Sequence, residues 1–223
     1  MAKTLSPASS RKDADARTRI VDAAERAFAE HGYHAVSLRT VMTLAQVNVA
    51  AAHYYFGSRE NLLQAVLERR AQQINAARKE RLLRCIDRNG ESASVEKILE
   101  AYIGPALEIC SDPKGWLFVR VSALASVDPS SEVQDIMQST YDETAGLFVD
   151  ALKRACPKLK TAGLYWRLQC VYGAMLYLRA NNGRVARILN RETGPLDARA
   201  VREALRHIVP FLAAGFGDYT RKR

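Results

Sequence analysis

Apolar residues recur along most of the chain at the three- and four-residue spacing of amphipathic α-helices. The first stripe consists of Ile20, Ala24, Ala27 and Phe28. Gly32 follows where a left-handed residue ends a helix, which predicts a first helix from about residue 14 to residue 31. The residues before it are rich in Ser, Ala and charge and lack periodicity, so we predict a flexible basic arm over residues 1–14.

Two short helices and a tight turn are predicted next. Ser37 can cap the second helix, and Asn48 can cap a third that runs through Phe56. Only residues 46–48 connect the two. After a glycine stop, a fourth and longer helix is predicted from Arg59 to about residue 88, because this run is rich in Leu, Ala, Glu and Arg.

The remainder of the chain repeats the helical pattern. Its strongest stripes are Leu164, Leu168, Val171, Met175 and Leu178 in one helix, and Val201, Ala204, Leu205, Ile208, Val209 and Leu212 in the last. Pro105 is expected to interrupt or kink its helix, and Pro210 to kink the last one. Residues 119–127 alternate like a strand, but their alanines and the spacing of Leu117, Val121 and Leu124 also fit a helix. We predict a helix there, because a single strand would have no partner, and an all-α fold of about nine helices.

The first three helices have the size and order of a helix-turn-helix domain. Residues Ser37–Leu63, SLRTVMTLAQVNVAAAHYYFGSRENLL, resemble the tetracycline-repressor (TetR) family of bacterial transcriptional regulators, and Ile20–Tyr33 is similar to the family's first helix and glycine stop. The resemblance implies a helix-turn-helix DNA-binding domain over residues 15–60 and a helical effector-binding and dimerisation domain over residues 61–223. It also implies a homodimer that binds a pseudo-palindromic operator.

Two positions depart from the family's usual pattern. Gln46 stands in the turn where glycine is usual, and His53 stands where an aromatic residue is usual. Gln46 is therefore expected to adopt a left-handed or adjusted backbone at a cost of about 1 kcal/mol.

The predicted recognition helix, residues 49–56, contains no Arg or Lys for a bidentate contact with guanine. Its small apolar residues can touch thymine methyl groups. Asn48 either reads adenine or caps the helix, and His53 either contacts DNA or is simply exposed. The resemblance implies a phosphate contact for Tyr54, and the starts of the second and fourth helices can bind further phosphates. The candidate DNA-binding residues are Ser37, Thr40, Asn48, Val49, Ala50, Ala51, His53, Tyr54, Ser58 and Arg59.

The net positive charge of the chain favours a polyanionic partner, but it does not show which part of the chain binds that partner. The chain has 33 Lys+Arg against 24 Asp+Glu, a net charge of +9. Nucleic acid is the leading candidate and an acidic membrane the second. Residues 1–60 hold only a small part of this excess, so charge alone does not identify the helix-turn-helix. The basic residues of the arm, Arg11 and Lys12 with Arg17 and Arg19 beyond it, either extend the DNA footprint or are simply solvated.

The C-terminal half is larger than DNA reading requires, and the resemblance implies that it binds a small effector and dimerises through the last two long helices. Each of those stripes can also simply pack on its own core. Candidate pocket residues are Tyr102, Trp116, Phe118, Arg120, Phe148, Trp166, Tyr172 and Arg179. The two arginines would form a cationic end for an apolar, anionic effector. Residues 165–168 and 209–216 are similar to a fatty-acid-responsive branch of the family.

Other classes of protein fit the sequence less well. We find no G-x-S-x-G, H-E-x-x-H or glycine-rich phosphate loop, so an enzyme is the least favoured class, with no catalytic residues, cofactor or metal predicted. The four cysteines lack C-x-x-C spacing, which argues against a disulfide framework or a zinc site. No apolar window reaches the ~20 residues of a membrane span. Both observations favour the cytoplasm. A helical interaction scaffold or acidic-membrane binder is the alternative, but it leaves Ser37–Leu63 unexplained.

Overall fold

The computed structural model describes residues 7–86, 93–112, 115–180, 183–192 and 196–217, with side chains described throughout except at residues 7–12 and 51–53. These residues form helices and connecting turns and contain no strand, which confirms the all-α prediction. The helices are α1 (Pro7–His31), α2 (Leu38–Leu44), α3 (Ala52–Tyr55), α4 (Arg59–Ile86), α5 (Val95–Glu108), α6 (Gly115–Ser126), α7 (Ser131–Ala155), α8 (Thr161–Ala180), α9 (Arg184–Ile188) and α10 (Ala198–Ala214).

Most predicted helices are present, and the segment that alternates like a strand is helical, as α6. Two predictions need correction. The arm prediction is wrong over residues 7–14, where α1 begins at Pro7, because proline's fixed φ suits a first helical turn. Of the two outcomes expected at Pro105, interruption does not occur, since α5 continues to Glu108, and a kink stays a prediction. The third helix begins as a 3-10 turn, Val49–Ala51, before α3.

The chain forms two compact units within the described residues. Unit 1 comprises Met1–Arg70 and Arg120–Thr140, and unit 2 comprises Ala71–Val119 and Tyr141–Arg223. The predicted domain boundary at residues 60 and 61 lies inside the continuous helix α4.

Unit 1 is built on the apolar stripe of α1. Its fully buried side chains include Ile20, Phe28, Met42, Leu62, Leu63 and Leu67, contributed by α1, α2 and α4. Arg69 of α4 forms ion pairs with Asp22 and with the buried Glu25 of α1. Burial raises the pKa of Glu25, although Arg69 and Arg70 oppose this shift. The pair ties α4 to α1, so the start of α4 has a fixed place beside the helix-turn-helix.

In unit 2, α5 packs against α10. Leu164, Val171 and Met175 of the predicted α8 stripe are buried, as are Val201, Val209 and Leu212 of α10. Each stripe therefore has a core-facing side within this unit. None of the described helices has both the length and the hydropathy required to cross a bilayer.

Candidate DNA-binding interface and C-terminal cluster

The start of α2 is fixed by the hydroxyl of Ser37. Its Oγ accepts a hydrogen bond from the Thr40 backbone N–H at 3.1 Å and lies 2.8 Å from the Thr40 Oγ1. This satisfies one of the unpaired N–H groups of the first turn. Both side chains are exposed, so they can reach a ligand in solvent.

The turn after α2 has the hydrogen bonds of a Schellman motif. The Val47 N–H donates to the Met42 carbonyl at 3.0 Å, and the Gln46 N–H donates to the Thr43 carbonyl at 3.1 Å. Gln46 itself has φ 55°, in the left-handed region that this motif requires. The expected left-handed backbone of Gln46 is confirmed, so the turn keeps its geometry without glycine.

Asn48 caps the next helical segment. Its Oδ1 accepts a hydrogen bond from the Ala50 N–H at 3.0 Å. Of the two roles open to Asn48, the structure shows the capping one, since the carbonyl oxygen is engaged with backbone. Adenine reading by its amide group stays a prediction.

The surface that follows the turn is exposed and mainly apolar. Val49 and Ala50 are exposed, and Tyr54 is 71% exposed. Tyr55 instead hydrogen-bonds Asp13 through its hydroxyl at 3.2 Å, and Phe56 is buried. The side chains of Ala51 and His53 lie outside the described residues. Of the two neighbouring tyrosines, Tyr54 and Tyr55, it is therefore Tyr54 that is available for a phosphate contact.

Ser58 and Arg59 form the start of α4. The Ser58 Oγ accepts a hydrogen bond from the Asn61 N–H at 3.2 Å. The Arg59 guanidinium lies 4.3 Å from the centre of the Tyr33 ring, and its Nη1 donates to the His34 carbonyl at 3.3 Å. Arg59 is therefore held in place at a helix start, where the helix dipole alone would disfavour a cation.

The Tyr33–His34 segment also contacts residues on other elements. Tyr33 donates its hydroxyl to the Glu60 Oε1 at 2.9 Å, and His34 Nε2 lies 2.8 Å from the Asp128 Oδ2. Asp128 further accepts hydrogen bonds from the Ser130 N–H and hydroxyl. Burial alone would raise the pKa of Asp128, but these bonds and His34 together lower it.

The predicted pocket residues divide into buried and exposed sets. Tyr102, Phe118 and Phe148 are buried, Arg179 is half-buried, and Trp116, Trp166, Tyr172 and Arg120 are exposed. Trp116, Trp166 and Arg120 face solvent, and Arg120 belongs to unit 1, so their part in an effector pocket stays a prediction.

Two of the buried residues, Tyr102 and Phe148, are part of a larger group in unit 2. Tyr102 stacks on Phe148, with ring centres 4.1 Å apart and planes 4° apart, and its hydroxyl lies 3.3 Å from that of Tyr172. The Arg78 guanidinium lies 4.0 Å from the centre of the Tyr102 ring. Tyr141 and Arg179 are close enough to interact electrostatically with Arg78. We call these six residues the C-terminal cluster: Arg78, Tyr102, Tyr141, Phe148, Tyr172 and Arg179.

Comparison with known families accounts for both parts of the chain. The model for bacterial regulatory proteins of the tetR family matches residues 20–66, and the model for the tetracyclin repressor-like C-terminal domain matches residues 100–215. The chain belongs to the TetR family. It is a DNA-binding transcriptional regulator, and the TetR match over residues 20–66 contains the turn at Gln46 and the starts of α2 and α4.

Solved structures share the TetR fold at low sequence identity. The fatty acid degradation regulator FadR from Bacillus halodurans has a TM-score of 0.61 and 16% identity, over 98% of this chain and 99% of that chain. The TetR-family regulator PfmR from Thermus thermophilus has a TM-score of 0.61 and 16% identity, over 87% of this chain and 94% of that chain. No curated protein matches the chain in sequence.

Sequence reasoning missed several residues of this TetR-family chain. Arg78 lies in a helical run rich in Leu, Ala, Glu and Arg that does not mark it as buried, and Asp128 stands where the pattern indicates only the start of a helix. Tyr33 and His34 follow the glycine stop of the first helix and carry no further local signal. The signal for each is a long-range contact, which neither periodicity nor spacing records.

Proposed function

We propose that this regulator is a repressor that binds a pseudo-palindromic operator as a homodimer in the cytoplasm and leaves it when a small apolar effector binds. The observation that carries the proposal is the exposed surface of Val49, Ala50 and Tyr54, which directly follows the turn at Gln46. A helix placed after such a turn enters the major groove in helix-turn-helix proteins.

Within this surface, contacts with DNA phosphates and contacts with base edges are assigned to different residues. Tyr54, Ser58, Arg59, Ser37 and Thr40 are proposed to contact phosphates, because they are polar and lie at exposed or helix-starting positions. Val49, Ala50, Ala51 and His53, with the Asn48 amide, are proposed to meet base edges, mainly as apolar contacts to thymine methyl groups. Specificity then also depends on the shape of the DNA.

Large apolar side chains on α8 and α10 support dimerisation through these helices. Trp166 is 68% exposed and Phe211 78% exposed, and Tyr177 is exposed as well. Soluble monomers seldom leave so much aromatic surface uncovered, and a two-fold interface would bury the same patch on both subunits. A dimer would present two recognition surfaces to half-sites separated by about 34 Å, or a small multiple of it.

The functional division is proposed at residues 15–60 for DNA binding and 61–223 for effector binding and dimerisation, and the effector site itself is proposed within unit 2. The C-terminal cluster supplies buried aromatic rings together with guanidinium groups, a combination suited to an apolar molecule with an anionic group. A related fold, that of AibR, was solved in complex with isovaleryl coenzyme A and operator DNA, at 13% identity and a TM-score of 0.61 over 88% of this chain and 97% of that chain.

A gel-shift assay with fragments of the host genome at two salt concentrations tests the proposal. We expect a subset of fragments to shift, and the slope of log K against log salt to be about −0.9 per phosphate contact. Vesicles of acidic phospholipid serve as the control. Binding to vesicles with no fragment preference would support the alternative of an acidic-membrane scaffold and contradict the proposal.

A further inference from the structure

Unit 1 contains a cavity of about 350 Å³. Its walls come from the end of α1 and the turn after it, from α4, from the second half of α6 and from the start of α7, so every lining residue belongs to unit 1. None of these residues is among those proposed to bind DNA. Pockets for small molecules start at about 300 Å³, so the cavity can hold a compact molecule.

The lining of this cavity is mainly apolar. Phe28, Leu63 and Val133 line it and are at most 1% exposed. Leu124 and Val127 line it as well, but they are 46% and 62% exposed, so the cavity has an apolar open side. A hydrocarbon group that covers these two side chains would remove apolar surface from water, which favours binding.

Asp128 adds a carboxylate to this apolar lining. Its Oδ1 accepts both hydrogen bonds from Ser130, and its Oδ2 lies 2.8 Å from His34 Nε2, the one partner that the described residues supply to that oxygen. Because each oxygen of a carboxylate can accept about two hydrogen bonds, Oδ2 has room for a second donor. Burial raises the pKa of Asp128, but Ser130 and His34 outweigh burial and lower it, so the carboxylate is ionised at neutral pH.

Neighbouring charges favour a cation over an anion. His31 and Tyr33 also line the cavity, and each has a carboxylate partner: His31 Nε2 lies 3.8 Å from the Glu30 Oε2, and the Tyr33 hydroxyl donates to the Glu60 Oε1. The cation in contact with this set is Arg59, which lies over the Tyr33 ring. Together with the carboxylate described above, these contacts place three carboxylates against one guanidinium, while the histidines are charged only when protonated.

We propose that this cavity binds a compact apolar amine, whose ammonium group donates a hydrogen bond to the Asp128 Oδ2 and whose hydrocarbon part fills the space lined by Phe28, Leu63 and Val133. The site lies in unit 1, and its ligand has the opposite charge to the anionic effector considered for unit 2. The inference therefore goes beyond the proposed function.

Isothermal titration of the full-length wild-type chain at neutral pH tests the proposal with three probes that share one ring system: 2-(1-naphthyl)ethylamine, 2-(1-naphthyl)ethanol and 3-(1-naphthyl)propanoate. We expect the amine to bind about 10-fold more tightly than the alcohol, which is the size of a hydrogen bond between charged groups at a partly exposed site. The propanoate should bind more weakly than the alcohol, because Asp128 repels it.

Asp128→Asn connects the preference to the carboxylate. It removes the charge and keeps the shape of the side chain, so the amine should lose its advantage while the affinity for the alcohol stays nearly unchanged. Asp135→Asn is the matched control, since Asp135 is an exposed carboxylate on α7 that does not line the cavity. This control should keep the preference for the amine.

Ala125→Leu tests the location and does not depend on Asp128. Ala125 lines the cavity and is 7% exposed, so a larger side chain there occupies the space of the ligand and should weaken the binding of the amine and the alcohol about 10-fold or more. Ala123→Leu, on the same helix but outside the lining, should bind as wild type does. Circular dichroism checks that each variant folds, and Ala125→Leu decides the location if Asp128→Asn does not fold.

The outcomes separate this inference from the proposed function. Equal affinity of the wild-type chain for the amine and the alcohol, or a preference for the propanoate, overturns the ligand class. Unchanged binding of the amine in Ala125→Leu, or binding of none of the probes to the wild type, overturns the site. Each of these failures leaves DNA binding in the gel shift and the effector site proposed for unit 2 in place.

Discussion

Gln46 adopts a left-handed backbone that glycine would reach without strain. We expect Gln46→Gly to raise the free energy of unfolding by about 0.5–1 kcal/mol, because relief of strain outweighs the added freedom of the unfolded chain. Urea denaturation measures this change. Thr43→Gly, inside α2, is the control and should lower stability by about 1 kcal/mol. Equal losses for both variants would show that Gln46 is unstrained.

Asp128 gives the stability of unit 1 a defined pH dependence. Its pKa is lowered in the folded chain, because hydrogen bonds from Ser130 and His34 outweigh the effect of burial. The ionised form therefore stabilises the fold above the unfolded pKa of about 3.9, and this contribution is lost as pH falls through the lower folded value.

Asp128→Asn should consequently be less stable than wild type at pH 6, and the difference should shrink as pH falls below about 4. Thermal unfolding across this range is the measurement. Asp135→Asn, which alters an exposed carboxylate of α7, should leave the pH profile of the wild type unchanged. A constant difference at every pH would contradict the assigned role of Asp128.

At the scale of elements, Tyr54 on α3 and Arg59 at the start of α4 are both proposed to contact phosphates and not bases. Tyr54→Phe and Arg59→Ala each remove a proposed phosphate contact, so affinity for operator and for random DNA should fall alike, by severalfold. Fluorescence anisotropy measures the affinity for operator and for random DNA at two salt concentrations. We expect the slope of log K against log salt to be shallower for Arg59→Ala than for wild type.

The control for Arg59→Ala is Arg26→Ala, which removes an equal charge from an exposed position on α1. It should leave DNA affinity nearly unchanged. Loss of operator binding with intact binding to random DNA in Tyr54→Phe would instead make Tyr54 a base-reading residue.

Helices were predictable from sequence because apolar spacing and capping residues act locally. Ser37, Asn48 and the left-handed Gln46 all appear as their positions indicate. The pocket was less predictable, since the sequence cannot distinguish the buried Tyr102 from the exposed Trp166. Arg78 was missed for the same reason, because its burial depends on α5, more than twenty residues further along the chain.

At the scale of the whole molecule, the exposed aromatic side chains of α8 and α10 predict self-association. Phe211→Glu places a charge on an exposed aromatic position of α10 and should weaken a homodimer by about tenfold or more, as loss of an aromatic anchor does. Sedimentation velocity across a concentration series measures this. Leu83→Glu, on an exposed position of α4, is the control that should keep the wild-type association.

A wild-type chain that sediments as a monomer at micromolar concentration would contradict the homodimer. An unchanged dimer in Phe211→Glu would place the interface elsewhere on the molecule.

The exposure of Val49 and Ala50 has a consequence for how such a chain changes over generations. Substitutions at exposed positions outside caps and cores usually alter the free energy of unfolding by less than about 0.5 kcal/mol. The residues proposed to meet bases therefore carry little of the fold's stability, which depends on buried side chains such as Phe28 and Leu63. A lineage can shift its preferred DNA sequence by single mutations here without first acquiring compensating changes in the core.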